Sequence, residues 1–150
     1  MPGYKGHVFG AAALGAASLA GLNWLGWYTP DFPEAVLLMV FVLLGGIFPD
    51  VDTDSVAQKL FYTVLLLTNV TLMIQGHYKW AAILGFCAML PVVAGHRGWI
   101  HTWWAMFLVP LTIFILPVLF YQVKWQYLVP FYTASVFGYF IHLLLDRKFI

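Results

Sequence analysis

Six apolar stretches, each close to the length of a membrane crossing, are separated in this chain by short polar clusters; they cover residues 7–27, 34–48, 56–75, 80–95, 100–121 and 127–145. A helix of about twenty apolar residues spans the roughly 30 Å of hydrocarbon in a bilayer. Only 9% of the 150 residues are charged and 63% are hydrophobic. A soluble domain carries about 25% charged residues, so this chain lacks the means to cover a water-facing surface. Transmembrane β-strands would alternate polar and apolar residues over about ten positions, whereas these runs are continuously apolar. The expected fold is therefore all-α, a polytopic membrane helix bundle of about six transmembrane helices, formed as one domain over residues 1–150.

The first stretch is rich in small residues (Gly10, Gly15, Ala16, Ala20, Gly21), which let helix backbones approach closely, so it is placed in the bundle interior. Its start, with Lys5 ahead of an apolar run and Ser18-Leu19-Ala20 beyond, has the outline of a signal peptide. The run is built from Ala and Gly rather than Leu, so it is expected to remain as a membrane helix. Two prolines and Asp31 close it off before the second stretch, and Pro110 and Pro117 are expected to kink the fifth. The one cysteine, Cys87, lies within an apolar run and reads as a small buried residue. A net charge of +1 with no basic tail gives no sign of a nucleic-acid partner; membrane lipids are the expected surroundings.

Six crossings return the ends of the second, fourth and sixth stretches to the side on which the chain starts. That side then collects Lys5, His7, Asp50, Asp52, Asp54, Lys59, His96, Arg97, His101, His142, Asp146, Arg147 and Lys148. The other side keeps Asp31, Glu34, His77, Lys79 and Lys124. Positively charged loops stay inside, so the crowded face is expected to be cytoplasmic, in a plasma or inner membrane.

Three motifs on that face carry chemistry. Asp50, Asp52 and Asp54 stand at alternate positions after Pro49, and three such carboxylates repel one another unless a cation compensates them. A solvated turn with Asp54 or Ser55 capping the next helix is the plainer alternative. A calcium EF-hand would need Gly and Glu where Ser55 and Phe61 stand. His96 and His101 flank Arg97-Gly98, where two imidazoles can converge on one ion and the guanidinium can hold an anionic oxygen pair. The alternative there is a pair of interfacial histidines in an aromatic belt with Trp99, Trp103 and Trp104. His142 and Asp146 are four apart, which on a helix stacks them on one face. An ionisable residue at that depth is costly and marks function by default, although a histidine bonded to a neighbouring helix would also account for it. His7 opens the first stretch on the same side, and His77, on the other, reads as structural. A mixed His and Asp set of this kind suits Zn²⁺, with Mn²⁺ or Fe²⁺ as alternatives.

Taken in order, these residues resemble the YdjM-like family of predicted membrane-bound metal-dependent hydrolases. The likeness rests on His7 with Gly10, on Pro49-Asp50-x-Asp52 with Ser55, on His96-Arg97-Gly98-x-x-His101, and on Gly138, His142 and Asp146 at four-residue spacing. Gly6 stands where the family often has Thr, and Ile100-His101-Thr102 where it often has Thr-His-Ser. The resemblance implies a metal-dependent hydrolase, with a more distant likeness to helical zinc phospholipases C pointing to phosphoester substrates.

On this reading His7, Asp50, Asp52, His96, His101, His142 and Asp146 are the expected metal ligands. Their metal would acidify a bound water for attack on a phosphoester such as a lipid headgroup. Arg97 would stabilise the developing charge, and Asp54 would act as general base or orient a ligand histidine. A metal or proton transporter is the first alternative, but transport sites usually lie near the midplane with access from both sides. A non-catalytic scaffold with metal-stapled helix ends is the second.

Overall fold

The computed structural model describes residues 4–52, 55–93 and 99–146. Among them the chain is all-α, with six helices and no strand: α1 (Tyr4–Trp24), α2 (Phe32–Ile47), α3 (Val56–Ile74), α4 (Tyr78–Val93), α5 (Ala105–Tyr121) and α6 (Val129–Leu145). The helices fall into two compact units, Met1–Pro49 with His101–Ile150, and Asp50–Ile100.

Helix ends in the first unit follow local signals. Asp31 caps α2 by accepting the Glu34 backbone N–H at 2.8 Å, and Pro33 sits in the first turn, where its missing N–H costs nothing. The fifth helix starts later than residue 100. Trp99–His101 forms a 3₁₀ turn, and the Thr102 hydroxyl accepts the Ala105 N–H at 3.4 Å, so His101 precedes α5 instead of riding on it. Pro110 and Pro117 both lie inside α5, which ends where Gln122 takes the left-handed conformation (φ 54°) and donates its N–H to the Pro117 carbonyl.

The core of this unit lies where α1, α2 and α6 touch one another, with α5 against α6. Each of the three helices buries one stripe: His7, Ala11 and Gly15 on α1; Leu38, Val42, Gly45 and Gly46 on α2; Ser135, Gly138, Tyr139 and His142 on α6. In each helix these positions recur every three or four residues, as they do along one helical face. At the α2–α6 contact the backbones themselves meet. A Cβ on Gly45 would fall on the Ser135 carbonyl, and one on Gly138 on the Val42 carbonyl. Close approach of this kind needs small residues and exposes backbone carbonyls to the facing helix.

Many large apolar side chains point outward. Phe9, Trp24, Phe32, Leu44, Phe107 and Leu108 are all exposed, an arrangement suited to lipid and unfavourable in water. The hydroxyls of Thr112, Thr133 and Ser135 bond to carbonyls on their own helices, which leaves them no need of water. Among the described residues two segments are long and apolar enough to cross a membrane, Phe32–Val51 and Trp125–Leu145. The apolar part of α3, Gln58–Ile74, is shorter, as are α4 and α5 with 16 and 17 residues. The abundance of Gly and Ala in α1 dilutes its hydropathy.

The second unit is built on α3 packed against α4. Ser55 caps α3, accepting the Gln58 N–H at 3.1 Å and donating to the Asp50 carbonyl at 2.8 Å. Near the α3–α4 turn, the Asn69 amide donates to the Ala81 carbonyl at 2.7 Å, joining the two helices by a polar bond. The side chain of Cys87 lies outside the described residues.

Candidate metal centre

Three helix ends and one turn in the first unit meet at a single point. His7 stands in the first turn of α1, His142 in the last turn of α6, and Asp146 just beyond it. The Asp146 carboxylate spans both rings, with Oδ1 3.2 Å from His7 Nε2 and Oδ2 3.6 Å from His142 Nε2. The start of α1 therefore lies beside the end of α6, so the two run antiparallel. His101 brings a third ring, its centroid 5.8 Å from that of His142. The rings of His7 and His142 are stacked, with centroids 4.0 Å apart and planes inclined by 19°.

These groups are withdrawn from solvent. His7 is 3% exposed, His101 8% and His142 0%, and the Asp146 side chain 7%. A carboxylate buried this far is either protonated or paired with a positive charge, an imidazolium or a metal ion among the candidates.

The orientation of His142 defines which of its nitrogens is turned toward the carboxylate. Its Nδ1 lies 2.8 Å from the Gly46 carbonyl oxygen. A carbonyl only accepts, so Nδ1 carries the proton, and in the neutral ring Nε2 presents a lone pair. That lone pair faces a carboxylate oxygen at 3.6 Å, and two electron pairs in opposition call for a proton or a metal ion between them. A ligand histidine whose other nitrogen donates to a backbone carbonyl is the usual arrangement in metal sites. His101, His142 and Asp146 each offer a donor atom within 4.8 Å of the others, so they can converge on one ion. His7 Nδ1 is also buried with no hydrogen-bond partner among the described residues. The donor set, imidazole and carboxylate, fits a borderline divalent ion such as Zn²⁺.

Of the expected ligands, the first unit thus brings together His7, His101, His142 and Asp146. Asp50 lies in a 3₁₀ turn, Phe48–Asp52, that follows α2 and leads into the second unit; the side chain of Asp52 is outside the described residues. Asp54, His96 and Arg97 are also outside them. Sequence reasoning overlooked Gly46, whose carbonyl sets the His142 tautomer. The available signal was the Gly45-Gly46 pair together with Gly138, one turn before His142.

The sequence matches the YdjM inner membrane protein family over residues 1–147. The chain belongs to this family. It is accordingly a membrane protein, which explains why its outer helix faces are apolar. No curated protein and no solved structure matched the chain.

Proposed function

We propose that this family member is a membrane-bound metal-dependent hydrolase acting on a phosphoester of the lipid-headgroup kind. The observation that supports it most directly is the lone pair of His142 Nε2 held toward the Asp146 carboxylate by the bond from Nδ1 to Gly46. His101, His142 and Asp146, with His7 beside them, would hold the ion. When bound, a divalent ion supplies a Lewis acid and lowers the pKa of water toward neutrality. The chain's own part is to keep His142 in one tautomer, to place one carboxylate between two imidazoles, and to exclude bulk water from them. Arg97 and Asp54 are assigned by the sequence motifs alone, as charge stabiliser and general base.

In this reading all six helices cross the bilayer and the histidine end faces the cytoplasm. A site at that depth receives a headgroup by lateral diffusion of the lipid, without drawing it out of the membrane. The clustering of donors at one end of the helices is the reason to prefer an enzyme to a transporter.

The test is the metal content of chelator-free protein, beside phospholipid hydrolysis in detergent and in proteoliposomes. Bound zinc, manganese or iron and a chelator-sensitive release of phosphate or headgroup are expected. His142→Ala should lose bound metal while keeping the helical circular dichroism of the parent; full metal content in that variant would remove the assignment.

A further inference from the structure

The stacking of His7 on His142 bears on how many ions the site takes. An imidazole binds a metal along its nitrogen lone pair, which lies in the ring plane, at about 2.0–2.1 Å. The two rings are 4.0 Å apart with planes only 19° from parallel. Planes stacked in that way share no point within ligand reach of both rings. An ion in the plane of His142 therefore lies well off the plane of His7, whichever nitrogen His7 uses. One ion cannot be a good ligand partner for both.

The carboxylate between them has matching geometry. Asp146 turns one oxygen to each ring, Oδ1 to His7 and Oδ2 to His142. A carboxylate used through both oxygens is a bridging ligand, and sites with two ions separate them by about 3.5–4 Å. His101 stands beside His142 and completes a donor set with it and Asp146.

We infer that the centre is dinuclear, one divalent ion on His142, His101 and Asp146 Oδ2 and a second on His7 and Asp146 Oδ1, with Asp146 as the bridge. This rests on the metal-binding reading above and adds the number of ions and the division of ligands.

Purified protein in detergent, stripped with chelator and titrated with Mn²⁺, tests this by plasma mass spectrometry and by electron paramagnetic resonance. Two ions per chain at saturation, with the spectrum of an exchange-coupled pair, are expected. His7→Asn should bind one ion and show the spectrum of isolated Mn²⁺, and Asp146→Asn should abolish the coupling. Saturation of the parent at one ion, or a coupled pair retained in His7→Asn, would overturn the dinuclear assignment while leaving a metal site. No bound ion in the parent would overturn both. The parent spectrum decides the question even if a variant fails to fold.

Discussion

The two ends of the same three helices, α1, α2 and α6, are built on opposite principles. At the histidine end the backbones of α2 and α6 touch through Gly45 and Gly138, and the polar groups of His7, His142 and Asp146 are locked into buried contacts. At the other end the same helices border an open groove of about 710 Å³, lined by Leu19, Leu22, Leu25, Val129 and Thr133 among others. There the polar groups gather at the α1–α2 connection, where the Tyr28 hydroxyl donates to Glu34 Oε1 at 2.7 Å and Asp31 caps α2. Close packing is thus concentrated where donor atoms must be held in position. Slack is tolerated where only apolar surface is at stake, because lipid chains can fill what side chains leave open.

A single added methyl group separates the two ends most sharply. Gly138→Ala would drive a Cβ into the Val42 carbonyl, so α2 and α6 must move apart. Overpacking of this kind costs about 1–3 kcal/mol. The variant should also lose metal affinity, since the Gly46 carbonyl recedes from His142. Unfolding in a detergent titration and metal content, measured together, check this; unchanged values for both would mean that the glycine contact does not organise the centre.

A smaller loss is expected from Tyr28→Phe at the opposite end, about 0.5–1.5 kcal/mol for the hydrogen bond to Glu34, with metal content unaffected. The same bond makes stability depend on pH. Burial, followed by the hydrogen bond and charge of Glu34, pushes the Tyr28 hydroxyl up to about 12 from 10.0. A group whose folded pKa is raised stabilises the fold below its unfolded value and loses that contribution as pH rises through the folded one. Stability should therefore fall between about pH 10 and 12 in the parent, and less so in Tyr28→Phe, as thermal unfolding across that range would show.

The smallest effect has the opposite sign. At Gly21, which lines the groove, a Cβ would meet no atom within 4 Å among the described residues. Gly21→Ala should stabilise α1 by about 0.5–1 kcal/mol through backbone entropy alone. A destabilised Gly21→Ala protein would show that the groove end is as tightly organised as the histidine end, and the contrast between them would fail.

Much of the arrangement is legible in the order of the residues alone. The apolar runs locate all six helices because helix length and apolarity are properties of consecutive residues. Their boundaries shift by a few residues, and at two of them a side chain is responsible, Asp31 at the start of α2 and Thr102 ahead of α5. His142 and Asp146 are legible as a pair because four-residue spacing puts them on one helix face. Membrane membership likewise follows from composition, since so few charges cannot cover a wet surface.

Bringing His7 to Asp146 across 139 residues was decided by tertiary structure, because no local spacing relates the first turn of α1 to the end of α6. The role of Gly46 was equally hidden: a backbone carbonyl has no signature in sequence until a neighbouring helix comes close enough to use it. The stacking of His7 on His142, and the groove at the far end, are also products of how the helices pack. Sequence sets which groups are available and on which face of a helix they ride; packing sets the distances, and coordination chemistry depends on distances.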